Sequence, residues 1–208
     1  SASVPEPGWE WVAAAAARIV PWLSDGATGN VSRNHTGLAV QGISAPRDRS
    51  KWYGYATRDA FLRSGVSTWT VDSVGRVTVD KIITTQRTTN GVTDTTFRDI
   101  QKIGQLIYAL RKFRSALTIE HGQKAIADDN PGNVMSVTTP RDIAATFMHT
   151  YQEMVLTGVL ENAVDAADML RVERNADNPN RVDIYAPLDM VNPLDIMAAN
   201  ARVYSQFS

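Results

Sequence analysis

Apolar and polar side chains alternate along the last residues of the chain. One side of the alternation holds apolar or small residues and the other holds longer polar ones: Ala201, Val203, Ser205 and Phe207 against Arg202, Tyr204 and Gln206. A period of two is typical of a half-buried strand, and no turn follows to fold it back. Two alternatives remain open at this point. The tail closes a sheet in its own chain, or it completes one in a neighbouring chain.

Helical periodicity is strongest in the middle of the chain. Apolar residues recur there every three or four positions and form one stripe of the kind that faces a core: Ile100, Ile103, Ile107, Leu110, Phe113 and Leu117. Asp94 is placed to cap this helix, which we expect to run to about residue 117.

A second helix is predicted after Thr139. Thr139 supplies a cap, Pro140 suits the first helical position, and Asp142 places an acid at the third. Apolar residues follow at helical spacing: Ile143, Phe147, Tyr151, Met154 and Val155. Gly158 is expected to end this helix, and residues 160–169 to form one more short helix.

The first third of the chain is predicted to hold two helices separated by a long loop. Residues 5–23 are rich in alanine and favour a helix, yet nothing precedes it to pack on, which suggests a truncated domain. Residues 24–50 predict a loop with one short strand near 38–40. Residues 51–63 predict a helix that ends before Gly65. Its core-facing residues are expected to be Tyr55, Ala56, Ala60 and Phe61.

Strand patterns separate these helices. Residues 67–71 and 76–85 alternate in polarity and are rich in Val, Ile and Thr, so they predict a hairpin with one solvated face on each strand. Asn90 and Gly91 signal another turn. Residues 170–174 and 181–186 predict two more strands, which turn through 178–180. The whole pattern predicts an α+β fold, with helices packed on a small, mainly antiparallel sheet.

Composition limits the classes of partner. The 208 residues fit one or two domains, and the 21 basic and 22 acidic side chains nearly cancel. No overall field would therefore steer nucleic acid or an anionic membrane toward the protein. The chain has no cysteine, which excludes disulfides, thiolate metal sites and cysteine nucleophiles.

Nothing in the sequence predicts a membrane span or a secretion signal. The longest apolar run, residues 12–20, stops at Pro21 and is shorter than the ~20 residues that cross a bilayer. Glu6 and Glu10 lie where a signal peptide would be basic. We therefore interpret the glycosylation sequons at Asn30 and Asn34 as chance matches.

The common catalytic and cofactor motifs are missing. The sequence has no glycine-rich phosphate loop, zinc-binding HExxH or GxSxG nucleophile motif, and its three histidines (His35, His121, His149) are far apart. Residues 128–132 resemble the start of a calcium loop, but Thr139 at the twelfth position cannot supply the bidentate carboxylate. We predict a protein without enzymatic activity, cofactor or metal. The alternative is a hydrolase or ligand-binding domain with a site in the 24–50 loop, around His35 and Asp48.

A basic cluster closes the long central helix. Arg111, Lys112 and Arg114 lie near its predicted end, where positive charge complements the helix dipole. The cluster is either a solvated helix end or a surface for an acidic partner.

Several segments in fixed order resemble one family. The sequences at 65–68, 75–77 and 82–85, followed by Asp94 and Thr95 opening a long helix, resemble the C-terminal half of tail sheath proteins from Mu-like contractile phages. Residues 172–175, 179–183 and 187–192 resemble the family's closing segment, and residues 38–46 resemble a segment further upstream. The resemblance covers most of the chain from about Leu38. Family members are considerably longer, so it implies a C-terminal fragment.

This resemblance implies a division of the chain. Residues 1–64 would be the C-terminal part of a truncated α/β domain, similar in fold to subtilisin but without its catalytic triad. Residues 65–193 would form the C-terminal α+β sheath domain, and residues 194–208 a linking arm.

The resemblance also implies a function and its partners. Such proteins polymerise around a tail tube by exchanging β-strands between subunits, and they contract to drive the tube through the host envelope. The implied partners are neighbouring sheath subunits, the tail tube protein, and the baseplate and tail terminator proteins, with no nucleic acid and no membrane. The implied location is the virion, after assembly in the host cytoplasm.

Two sets of site residues follow from the resemblance. Strand donation to a neighbour is assigned to the tail: Ile196, Ala201, Arg202, Val203, Tyr204, Ser205, Gln206 and Phe207. Arg111, Lys112 and Arg114 are the candidates for facing the tube. Because one of two arms would be missing, we expect the fragment alone to be a monomer or small oligomer.

Overall fold

Helices and small sheets alternate along the chain. The computed structural model describes residues 6–203. Within that range the α-helices are α1 (Gly8–Leu23), α2 (Tyr55–Arg63), α3 (Ile100–His121), α4 (Pro140–Leu156) and α5 (Ala163–Met169). The strands of the same range are β1 (Thr68–Val71), β2 (Val77–Lys81), β3 (Thr88–Thr89), β4 (Val92–Thr93), β5 (Ala125–Ile126), β6 (Val137–Thr138), β7 (Arg171–Arg174) and β8 (Val182–Tyr185).

Within the described residues, the strands form four separate pairs, each made of two consecutive strands. The pairs β1–β2, β3–β4 and β7–β8 are antiparallel, whereas β5–β6 is parallel. Helices packed with small, mainly antiparallel sheets make an α+β fold, so the predicted fold class is confirmed. The predicted turns are also confirmed, including the hairpin at Asn90 and Gly91, whose φ angles are 52° and 80°. Residues 87–93 around that hairpin are all exposed.

The main core lies between α3 and α4. Phe113 of α3 and Phe147 of α4 stack with ring centroids 3.9 Å apart and an interplanar angle of 2°. Tyr151 is fully buried beside them, and its hydroxyl donates a hydrogen bond to the carbonyl of Glu161 at 2.8 Å. The buried members of this core are Val31, Ala109, Phe113, Phe147, Tyr151, Met154, Val159, Leu160 and Ala166.

A second core forms on the β1–β2 hairpin. Val40, Val77 and Val79 are buried there, with Trp11 of α1 packed against them. Residues 37–40 run antiparallel to β2, as shown by the bond from the Val40 amide to the Val77 carbonyl at 2.9 Å. The short strand predicted near 38–40 is therefore confirmed as a β-bridge, between Ala39 and Thr78.

The predicted start and end of α4 are confirmed. Thr139 and Asp142 form a reciprocal capping box, with Pro140 in the first turn. Gly158 follows the helix with a φ of 69°, which favours glycine. The two strands predicted downstream form the β7–β8 pair.

The predicted core face of α2 is wrong except at Phe61, which is half-buried and packs edge-on against Tyr53. The helix begins at Tyr55, which is 79% exposed, and Ala56 and Ala60 are exposed as well. Arg58 instead turns toward the hairpin, where its guanidinium lies 3.0 Å from Asp80. The helix α2 covers that side of the hairpin, so Thr78 of β2 is buried as well as Val77 and Val79. The prediction that β2 has a solvated face is therefore also wrong.

The predicted start of α3 is wrong too, and its predicted core face is right only at Phe113, which is buried, and at Leu117, which packs against the main core. The helix begins after Asp99, whereas Asp94 accepts a bond from the Thr96 amide in a preceding turn. Among the stripe residues, Ile107 is 46% and Leu110 53% exposed. The buried residues of α3 are Gln101, Gln105, Ala109 and Phe113.

Candidate subunit interface

The residues assigned to strand donation lie in an exposed C-terminal arm. Every residue from 196 to 203 is exposed, with Ile196 at 84% and Val203 at 96%. Ala201, Arg202 and Val203 belong to no helix or strand of the described chain. The remaining donor residues, Tyr204, Ser205, Gln206 and Phe207, lie outside the described residues. The arm thus presents its described backbone and side chains to solvent.

The arm leaves the body of the protein at an ion pair. The Lys81 Nζ atom, at the end of β2, lies 2.7 Å from each carboxylate oxygen of Asp195. The Asn34 side-chain amide donates to the carbonyl of Leu194 at 2.6 Å. These contacts fix the position from which the exposed arm begins. Sequence reasoning missed them, because Lys81 and Asp195 are 114 positions apart and no local pattern links them.

A third charged group completes this arrangement. Asp99, just before α3, places its Oδ1 atom 3.2 Å from the Lys81 Nζ atom. The side chains of Lys81 and Asp99 are each only 12% exposed, whereas that of Asp195 is 39% exposed. One cation is therefore shared between a buried carboxylate and a more exposed one.

The side chains of the three tube-facing candidates have different surroundings. Arg111 and Arg114 are exposed on α3, but Lys112 turns toward α4 and lies 3.1 Å from Glu153. This bond to Lys112 lowers the pKa of Glu153. The prediction that the cluster closes the helix is wrong, because α3 continues to His121. The arginines thus lie within the helix, away from the carbonyl groups at its end.

The alternative site in the 24–50 loop gains no support from the structure. His35 is only 1% exposed, and neither of its ring nitrogens has a hydrogen-bond partner among the described residues. Asp48 is exposed and caps a short 3-10 helix by accepting from the Ser50 amide. No hydrogen bond joins the side chains of His35 and Asp48, both of which lie in the described part of the chain. A buried imidazole without a partner has no access to a substrate as a general base.

His35 is expected to make the folded state sensitive to acid. Burial, with a smaller contribution from Lys81, lowers its pKa from 6.5 to about 4. The unfolded chain therefore takes up a proton near pH 6.5, whereas the folded chain does not, so stability falls as pH drops from 6.5 toward 4. We expect the wild-type protein to lose about 2 kcal/mol relative to His35→Leu over this interval, allowing for solvent screening.

Urea unfolding of both proteins at pH 7 and pH 4 measures this difference. His149→Leu is the matched control, since the His149 side chain is 75% exposed. An equal pH dependence in the wild type and His35→Leu would contradict the assignment of the effect to His35.

The remaining sequence candidates have local structural roles. Asp128, in the segment that resembles a calcium loop, lies 3.2 Å from Arg174, and the Asn130 side chain closes a turn by bonding to the Val134 backbone. Residues 6–203 contain no cluster of three side chains suited to a metal ion. Across the same residues, no helix combines the length and apolar character that a bilayer span requires.

The fold is shared with two proteins of known structure. A sheath tail protein from Listeria innocua aligns over 77% of this chain and 35% of its own, with a TM-score of 0.58 and 15% identity. A chain in the baseplate of the anti-feeding prophage aligns over 84% of this chain and 46% of its own, with a TM-score of 0.58 and 14% identity. At such low identity these two likenesses concern the fold alone.

The sequence is similar to one named sheath protein. The Mu-like prophage FluMu tail sheath protein of Haemophilus influenzae is 27% identical over 197 residues, which cover 93% of this chain. The resemblance to Mu-like tail sheath proteins is therefore confirmed. No family model matches the chain. The chain spans only 39% of the length of that sheath protein, so the division at residues 64 and 193 and the subtilisin-like remnant stay predictions.

Proposed function

We propose that this chain is part of the structural subunit of a contractile phage tail sheath and has no catalytic role. The similarity to the FluMu sheath protein carries this proposal, because it extends over 93% of the chain. The proposed subunit comprises residues 1–64 as part of an α/β domain, residues 65–193 as the C-terminal domain, and residues 194–208 as a linking arm. Its place is the tail sheath of the virion, after assembly in the host cytoplasm.

In this proposal the arm joins neighbouring subunits by adding a strand to a sheet of the next one. The support is the exposure of Ile196 and Val203, together with the polarity alternation of residues 201–207. Strand addition uses backbone hydrogen bonds for affinity, and alternating side chains set the register. Subunits joined in this way can move against each other during contraction while they remain connected. The tail tube, baseplate and tail terminator proteins are the further proposed partners.

Removal of the arm tests this proposal. In the full-length sheath protein, deletion of residues 201–208 is expected to abolish polymerisation while the melting temperature of the subunit changes by less than about 2 °C, since terminal residues commonly contribute little to stability. Electron microscopy and sedimentation measure polymer formation, and calorimetry measures the melting temperature.

A reordered arm provides the matched control. A variant that keeps the composition of residues 201–208 but destroys their alternation should fail to polymerise in the same way. Normal sheaths from the deletion variant would refute strand donation by this arm.

A narrower proposal concerns the tube. Arg111 and Arg114 are exposed on the same side of α3, and we propose that they face an acidic surface of the tail tube. The double charge reversal Arg111→Glu and Arg114→Glu is expected to prevent sheath assembly around purified tubes, whereas reversal of the exposed Arg47 in the long loop should not. Unchanged assembly of the double variant would exclude this contact.

A further inference from the structure

The C-terminal segment is tied to the body of the protein at two successive places. At the first, the Val191 amide donates to the Val159 carbonyl at 3.3 Å, and the Val191 carbonyl accepts from the Gln105 side chain at 2.9 Å. The second place is the ion pair of Asp195 with Lys81, together with the Asn34 side-chain amide, which donates to the Leu194 carbonyl at 2.6 Å and to Asp195 Oδ1 at 3.3 Å. Among the described residues, no hydrogen bond holds Asn192 or Pro193 between these two places. Loss of both contacts at the second place, the ion pair and the Asn34 hydrogen bonds, would therefore free the chain back to Val191.

The second tie is built so that it can open. Asp195 is the most exposed of the three charged groups, and ion pairs near solvent contribute little to stability. The Lys81 ammonium is nearly buried, and an unpaired charge at that position would be costly. Asp99 removes this cost, because its carboxylate stays 3.2 Å from the ammonium when Asp195 leaves.

Asp99 can accept an additional hydrogen bond when the second tie opens. Although Lys81 lies close to Asp99 Oδ1, no hydrogen bond reaches this buried oxygen, since Lys81 bonds to both oxygens of Asp195. When Asp195 moves into solvent, the ammonium can turn toward Asp99 and donate to it. Lys81 thus has a carboxylate partner in both states, which is the requirement for a two-state contact.

We propose that Lys81, assisted by Asn34, is a latch for the C-terminal arm. Opening breaks the ion pair and the Asn34 hydrogen bonds together. With the latch closed, the free arm begins at Asp195, and with the latch open it begins at Val191. Opening adds four residues, or about 13 Å of reach at roughly 3.3 Å per residue. The use of this length rests on the proposed function, in which a linking arm joins two subunits that move apart. The latch then supplies spare arm length without loss of the connection.

Distance measurements between two spin labels on the 208-residue chain test the latch. The sequence has no cysteine, so Met197→Cys on the arm and Ser115→Cys on α3 give two unique labelling sites, both at exposed residues. All proteins compared here also carry Asn34→Ala, which removes the Asn34 hydrogen bonds. In this background, repulsion from Lys81 in Asp195→Lys should open the latch. The number of free residues before the arm label then rises from two to six, so the width of the distance distribution is expected to grow roughly 1.7-fold, as the square root of that number.

Salt and a matched variant complete the experiment. In 1 M salt, where the screening length is about 3 Å, the labelled protein with Asp195 intact should show the same broadening, whereas Asp195→Lys should not change further. Lys124→Met removes another lysine–carboxylate pair, 3.0 Å from Glu120, and should leave the distribution unchanged.

Equal widths for the protein with Asp195 intact and for Asp195→Lys, at low salt, would overturn the latch. Broadening of the same size in Lys124→Met would overturn it as well. Because these distances need no polymer, such a result would leave the proposed function intact. Conversely, polymerisation by the arm-deleted sheath protein would refute strand donation and leave the latch unaffected.

Discussion

Tyr151→Ala is expected to lower the free energy of unfolding by about 3–5 kcal/mol, the range for loss of a large buried aromatic ring. Tyr151 is fully buried in the α3–α4 core, beside the stacked rings of Phe113 and Phe147. Its hydroxyl also joins the segments on either side of the β7–β8 pair. It donates to the Glu161 carbonyl at 2.8 Å and accepts from the Asp189 amide at 3.3 Å. The substitution removes both the packing and this connection.

Urea unfolding at pH 7 measures the loss, with two further variants for comparison. Tyr151→Phe keeps the ring and is expected to cost about 1–3 kcal/mol, because it leaves buried polar groups without partners. Leu156→Ala, on the same helix at a residue that is 88% exposed, should change the stability by less than about 0.5 kcal/mol. Similar losses for Tyr151→Ala and Leu156→Ala would show that the core does not lie where we place it.

Gly29→Ala is expected to cost at least about 3 kcal/mol, as the sum of backbone strain and a steric overlap. Gly29 has a φ of 75°, a conformation that side chains disfavour. A Cβ atom at this position would overlap the carbonyl oxygen of Thr157, the residue that follows α4. The long loop and the end of α4 would therefore have to separate.

Gly42→Ala separates the two causes. Gly42 has nearly the same φ, 77°, but a Cβ atom there meets nothing within 4 Å. Gly42→Ala should lower the free energy of unfolding by about 1–2 kcal/mol, which is the strain of a left-handed backbone conformation alone. The difference between the two variants in the free energy of unfolding measures the overlap with Thr157. Equal losses would mean that the loop does not approach α4 as closely as described.

Elements with a complete local signal could be predicted from the sequence. The capping box of Thr139 and Asp142 defines the start of α4 without help from the rest of the chain. Asn90 and Gly91 adopt the positive φ angles that a two-residue hairpin needs. In such places the backbone conformation depends on a few adjacent residues, so the sequence and the structure agree.

The face that a helix buries depends on distant residues instead. The α3 stripe suggested that Ile107 and Leu110 face the core, but the structure buries Gln105. The Gln105 Nε2 atom donates to acceptors far along the chain, the Ser32 hydroxyl at 2.8 Å and the Val191 carbonyl at 2.9 Å, whereas its Oε1 atom has no hydrogen-bond partner among the described residues. These bonds help to hold the side chain in the interior, and no periodicity in α3 predicts them.

The pairing tendency of the arm could be predicted from the sequence, whereas the place where the arm begins could not. Alternation over residues 201–207 identifies a segment suited to pairing with another strand, because that pattern is local. The origin of the arm was not predictable. It depends on Lys81 and Asn34, which come from β2 and the long loop and meet residues 194 and 195 only in the folded chain.

The β3–β4 hairpin offers a place to insert foreign sequence. Its strands, Thr88–Thr89 and Val92–Thr93, are exposed, and they bond only to each other in the described sheets. Exposed loop tips tolerate insertions because no packed group has to move. An affinity tag between Asn90 and Gly91 would leave both cores and the arm unaltered, so assembly could be followed with a reporter that touches none of the proposed contacts.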